Sequence, residues 1–256
     1  LHRRRHSFPT RRSSDLVLGG SRDWVFKGAL EVMARQSQSS LIATGSEISS
    51  TRDRQLRLRV SADNERLAAH STRVEAGVAL GEYTSVVGVS LPQGRYTRLD
   101  VLAKTQVALN AQGSWTALAK LKGQWADRNL DAYNQLVLGG VSAVRAYTSV
   151  DGVGDRGVVG TLEVNKGFEG QWQVGAFYDG GYIQNSVKRS STQVWNYDTL
   201  QAVGLQVQGQ GQGSYRNLSY TLSWAKGVGG YKSWQSTNIE SSPNNQRVMA
   251  SATYVF

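Results

Sequence analysis

The chain has 256 residues, 29 Lys and Arg against 19 Asp and Glu, three His and no Cys. The lack of cysteine excludes disulfides, thiolate nucleophiles and thiolate zinc sites together. No stretch approaches the roughly 18 apolar residues of a membrane helix, which leaves open a membrane crossed by strands, where every second residue is polar.

Residues 1–16 read LHRRRHSFPTRRSSDL, and HSFPTRRSSDL resembles a common sequencing-library adapter translated in one frame. The segment has little apolar content and no periodicity, so it is expected to be disordered, to pack against nothing and to lie outside a domain of residues 17–256. It holds five Arg and one Asp, so 29 − 5 basic and 19 − 1 acidic residues leave a net charge of +6. Those charges are spread one or two per strand rather than gathered on one face, which gives no sign of a nucleic-acid partner.

From Trp24 onward the dominant signal is alternation with period two. Trp24, Phe26, Gly28, Leu30 and Val32 alternate with Lys27, Glu31 and Arg35; Leu56, Leu58 and Val60 with Arg57 and Arg59. The pattern repeats at Val74–Leu80, Leu99–Leu109 and Trp115–Trp125, giving five strands before a Gly-rich central stretch. After it come strands around Leu162, Trp172–Asp179, Val203–Val207, Leu218–Trp224 and Val248–Phe256, about ten in all. The segments between them alternate too. Long loops are expected at 37–53, 83–95, 127–156, 184–198 and 227–245, and short turns near Arg66, 110–113, 167–170 and 211–214.

Short turns on one rim and long loops on the other are the mark of an outer-membrane barrel. A soluble β-sandwich also alternates, but Arg57, Arg59, Lys120 and Lys122 would then have to cover an outer face. Trp24, Trp115, Trp125, Trp172, Tyr178, Trp224 and Tyr254 lie on the apolar phase, near strand ends, as interfacial girdles do. The fold expected is all-β, an antiparallel transmembrane β-barrel that is incomplete, with the Trp24 strand an unpaired edge.

The central stretch carries an ordered set of motifs. Leu138-Gly139-Gly140 precedes Val144-Arg145-Ala146-Tyr147; Gly154-Asp155-Arg156-Gly157 opens a strand; Phe177, Asp179 and Gly181 stand at alternate positions on the next. This set resembles that of the two-partner secretion transporters, the haemolysin/adhesin secretion-activation family within the superfamily of outer-membrane barrels that move or insert polypeptides. In that family the loop carrying the tetrad folds back into the barrel. The tetrad usually has Gly where this chain has Ala146, which would be strained if the position needs a positive φ.

Asp179 lies eight residues beyond Gln171, which at ~3.4 Å per residue and a tilt of about 40° puts it roughly 21 Å up the wall. The loop from Asp127 to Arg156 is long enough to dip into the lumen. Arg145 and Asp179 are therefore expected to pair as a loop-to-barrel latch, with Val144, Ala146, Tyr147, Gly154, Asp155, Arg156, Gly157, Phe177 and Gly181 in support. Tyr254 and Phe256 close the last alternating strand and resemble the C-terminal signal that outer-membrane barrels present to their insertion machinery.

Enzymatic chemistry is nearly excluded by inventory. Outside residues 1–16 the sole histidine is His70, placed in a short turn, so no imidazole base stands at the outer rim. Residues 152–157 fit GxGxxG but open a strand, so no helix N-terminus faces a phosphate. Asp151 and Asp155 hint at calcium without the six to eight oxygens it needs. No catalytic residue, metal or cofactor is expected. The resemblance implies an outer-membrane transporter that secretes a large partner polypeptide, unfolded, through its lumen, in contact with lipid and dependent on the insertion machinery. It further implies a barrel of about sixteen strands preceded by periplasmic binding domains, so that residues 24–256 are its later part. An insertion factor of the same superfamily and a passive porin are the competing readings; a porin has no reason to pair the tetrad with Phe177, Asp179 and Gly181.

Overall fold

The computed structural model describes residues 2–6, 10–21, 23–41, 47–64, 70–87, 93–169, 171–189, 196–211, 217–229 and 246–255. The strands are β1 (His2–His6), β2 (Thr10–Gly20), β3 (Val25–Leu41), β4 (Glu47–Asp63), β5 (His70–Val87), β6 (Gly94–Ala108) and β7 (Trp115–Ala126). They continue with β8 (Leu136–Val137), β9 (Val153–Gly154), β10 (Arg156–Phe168), β11 (Trp172–Gln184), β12 (Tyr197–Gln210), β13 (Leu218–Gly227) and β14 (Gln246–Tyr254). All but β8 and β9 join one antiparallel sheet in which β3 to β7 and then β10 to β14 follow in chain order, while β8 and β9 pair only with each other. The two ends of the sheet are not paired to each other among the described residues.

The sheet is turned inside out relative to a soluble sandwich. Leu162 is 59% and Leu205 56% exposed on one face, while Asp53, Asp179 and Asp198 on the other are almost wholly buried. An apolar face this extensive and uncovered has the character of the outer face of a transmembrane barrel. Register carries the same division across the strands: Leu162, Tyr178 and Val203 stand side by side outside, and Lys120, Thr161, Asp179 and Ala202 inside. The ten strands expected from Trp24 onward are β3 to β7 and β10 to β14, and β1 and β2 bring the sheet to twelve.

Aromatic girdles mark both rims. Near the short turns Phe168 stacks on Trp172 with ring centroids 4.4 Å apart, and Lys166 sits over Trp115. Near the long loops Tyr182 stacks on Tyr197 at 5.6 Å, and Arg156 lies over Trp125. Tyr178, expected near a strand end, stands at mid-strand instead.

Three expectations are corrected. Residues 2–6 and 10–16 do not lie apart from the fold: β2 pairs with residues 25–34 of β3 and β1 with residues 37–41. The β3 strand is therefore not an unpaired edge. A turn closed by Ser21 N–H donating to the Trp24 carbonyl folds the preceding chain onto it, and a ladder of backbone groups can be completed without apolar side chains. The long loops at 37–53 and 83–95 are largely strand, since β3 runs to Leu41, β4 starts at Glu47, β5 ends at Val87 and β6 starts at Gly94. The sequence there is polar at consecutive positions, as at Ser49 to Asp53, so alternation stops while backbone pairing continues. His70, placed in a turn, opens β5 and pairs with Val107. Phe256 lies outside the described residues; Tyr254 faces outward, opposite Leu218.

Candidate functional site

After β7 the chain turns inward, and residues 127–155 occupy the concave side of the wall. The β8–β9 ribbon pairs Leu136 with Gly154 and Val137 with Val153, making an arm that carries residues 138–152. At its tip the arm closes on itself. Leu138 N–H donates to the Gly152 carbonyl, Val144 N–H to that of Leu138 and Tyr147 N–H to that of Val144. Thr148 donates its N–H and hydroxyl to one oxygen of Asp151, at 2.7 and 2.9 Å. Leu138, Val144, Ala146 and Tyr147 are buried with Val159, Phe177, Ile183 and Leu200, so the tip forms a core against β10–β12.

Arg145 is the polar centre of that contact. Its Nε and Nη2 donate to the two oxygens of Asp179 at 2.8 and 2.9 Å, a bidentate fork, and its backbone N–H donates to the same carboxylate at 3.2 Å. Nη2 also meets Glu163 at 2.9 Å and Nη1 donates to Gln206 at 3.0 Å. The guanidinium carbon lies 3.3 Å from the centroid of the Phe177 ring. Thr161 donates its hydroxyl to Asp179 at 2.9 Å. Burial works against the charged guanidinium, but the hydrogen bonds and charges of Asp179 and Glu163 outweigh it and hold the Arg145 pKa above its ordinary value.

Each motif position on β11 has a distinct physical task. Phe177 floors the cation, Asp179 supplies the fork, and Gly181 leaves the space that Leu138 fills, since a Cβ there would collide with the Leu138 side chain and the Val158 carbonyl. Ala146 is buried and is not in the positive-φ region, where among described non-glycine residues only Gln171 is found, so alanine fits the tetrad without backbone strain. Asp155 ties the base of the loop together, accepting from Leu130 N–H and Gln135 Nε2 at 3.0 Å each and from Val187 N–H at 3.0 Å. Burial pushes its carboxyl up, and those donors pull the other way. Arg156 donates to the Ala126 carbonyl at 2.7 Å. The carboxylates of Asp151 and Asp155 are thus engaged by protein donors, not arranged as an ion cage.

Sequence reading missed Thr161, Glu163 and Gln206, which complete the tip site, and a whole second cluster at the start of the loop. There Arg35 Nη2 bridges Asp53 at 3.1 Å and Asp131 at 2.9 Å. Asn134 Nδ2 donates to Asp53 at 2.9 Å and to the Tyr83 hydroxyl at 2.8 Å, while its Oδ1 accepts from Arg98 at 2.7 Å. Tyr96 donates to Asp53 at 3.0 Å and stacks on Tyr83 at 4.5 Å. Burial pushes the Asp131 carboxyl up, against the pull of Arg35. Glu163 had a usable signal, an acid on the inward phase of a strand; the second cluster had none, because its members come from five separate segments.

An apolar outer face, a polar inner face and a loop pinned to that inner face by a buried arginine fork define part of an outer-membrane barrel. A sequence model of the haemolysin secretion/activation proteins ShlB/FhaC/HecB matches residues 21–209. The chain belongs to that family, whose members are outer-membrane transporters of Gram-negative bacteria and not enzymes. Among solved structures it is similar to CdiB from Escherichia coli, with a TM-score of 0.72 and 19% identity over 96% of this chain and 45% of that one. CdiB from Acinetobacter baumannii aligns with a TM-score of 0.62 and 16% identity over 86% of this chain and 38% of that one. The chain therefore spans less than half the length of either. No curated protein matches it in sequence.

Proposed function

We propose that the full-length protein secretes a large partner polypeptide, in unfolded form, through the barrel lumen, and that the Arg145–Asp179 fork is a latch holding the loop in its secretion-competent position. The observation that carries this reading is the fork itself: four hydrogen-bonding or ionic contacts to one guanidinium and a fifth to the backbone N–H of the same residue, buried between a pore loop and the wall. A passive porin needs an inward loop but no such convergence. Family membership favours secretion over membrane insertion of other proteins. The partner is a secreted exoprotein, whose folding outside the cell prevents its return. Lipid covers the outer face, and the insertion machinery reads the last strand at Tyr254 and Phe256.

Residues 1–16 stand outside this reading as adapter-derived sequence. Resequencing the parent gene checks that, and a gene-encoded segment identical to residues 1–16 overturns it. The latch is tested in the full-length transporter with Arg145→Ala and Asp179→Ala. Each lowers the amount of partner in the medium while the barrel still inserts and shows heat-modifiable gel mobility. Undiminished secretion in both variants refutes the latch.

A further inference from the structure

Two of the loop's contacts with the wall are buried polar clusters built on an apolar core, and the motif accounts for one of them. The other is the cluster around Asn134, which stands on β3 to β6 rather than β10 to β12. Its chemistry is that of a built site. Asn134 is 3% exposed, and every polar atom of its side chain is used: the amide nitrogen on Asp53, Tyr83 and Tyr96, the amide oxygen on Arg98. Its carbonyl accepts from Gln124 at 3.0 Å, and its N–H donates to the Asp131 carbonyl at 2.9 Å. Tyr83, Tyr96, Ala126 and Leu130 form a small apolar core beneath it, separate from the core at the tip.

We propose that Asn134, with Asp131, is a second anchor that positions the pore loop for transport: a neck fixed to the β3–β6 wall, from which the 136–154 arm projects so that Arg145 meets Asp179. Asp155 supports the same geometry from the other end of the arm. It gathers Leu130, Gln135 and Val187 onto one carboxylate and so brings the two ends of the arm together. A loop of this length held at its tip alone would have a free base and a large closure entropy to overcome for the tip contact; fixing the base removes most of it. The neck residues are therefore positioning residues, acting on the partner's path through the loop. Their importance for secretion rests on the latch reading, but their effect on loop position does not.

The test uses the full-length transporter in outer membranes and two buried thiol probes in a region that has no cysteine of its own: Ala143→Cys in the tip core and Ala126→Cys in the neck core. Maleimide labelling rates are measured with and without Asn134→Leu, which keeps the volume and removes the amide. Labelling at both probes is expected to rise by about tenfold, the size that losing buried hydrogen bonds predicts. Arg145→Ala raises labelling at 143 alone. Tyr83→Phe removes one hydroxyl, is expected to fold, and gives a smaller rise at 126. Unchanged labelling at 143 in Asn134→Leu, or at both probes in Tyr83→Phe, overturns the anchor. Raised labelling with full secretion leaves the anchor standing and removes the latch.

Discussion

The tip and the neck of the pore loop solve the same problem with different materials. The tip spends one cation on two carboxylates, Asp179 and Glu163, with an aromatic floor. The neck uses a neutral amide among two tyrosines and two arginines, Arg35 shared by Asp53 and Asp131 and Arg98 on the amide oxygen of Asn134. A buried fork is strong but brittle, because deleting either partner strands a charge at a cost of about 3–5 kcal/mol. A network that spreads its contacts over an amide, two hydroxyls, two arginines and two carboxylates loses them one at a time, at about 1–3 kcal/mol per bond. The tip thus rests on one cation and the neck on many partners.

Variants at the tip can break that contrast. Gly181→Val should have the largest effect short of removing the fork, since its side chain takes the place of Leu138 and meets the Val158 carbonyl. Secretion should fall at least about tenfold, the equivalent of 1.4 kcal/mol, and adding Leu138→Ala should restore part of it. Arg145→Lys keeps the charge but loses the planar fork and most of the stacking on Phe177, so it should secrete at an intermediate level, between Arg145→Ala and the parent. Phe177→Leu keeps an apolar floor without its negative face and should loosen the arm by about 1 kcal/mol, visible as faster labelling at Ala143→Cys. The smallest effect is expected from Ala146→Gly, which restores the usual glycine of the tetrad. Because Ala146 needs no positive φ, glycine should bring no gain and should cost up to about 1 kcal/mol in backbone entropy, read as unchanged or slightly reduced secretion.

The wall was legible because lipid outside and a wet lumen inside impose period two on every strand, as Leu162 against Glu163 and Tyr178 against Asp179 show. It stopped being legible at Ser37–Leu41, where the residues no longer alternate although the backbone still pairs. Arg145 and Asp179 could be paired from sequence because each sits in a short contiguous motif. Gln206, Glu163 and Thr161 could not be attached to them without the register that sets β10, β11 and β12 side by side. The neck left no local trace: Arg35, Asp53, Tyr83, Tyr96, Arg98 and Asn134 are each ordinary at their own positions. Only the fold makes them neighbours. Docking of residues 1–16 was missed for a related reason, since strand pairing is written in the backbone and not in side-chain pattern.

The most direct measurement of the central claim is a double-mutant cycle on secretion by the full-length transporter, comparing Arg145→Ala, Asp179→Ala and the pair at matched levels of inserted barrel. If the two residues act as one latch, each single variant loses most secretion and the pair loses no more than the worse of them. Losses that multiply, or single variants that secrete as the parent does, would contradict it.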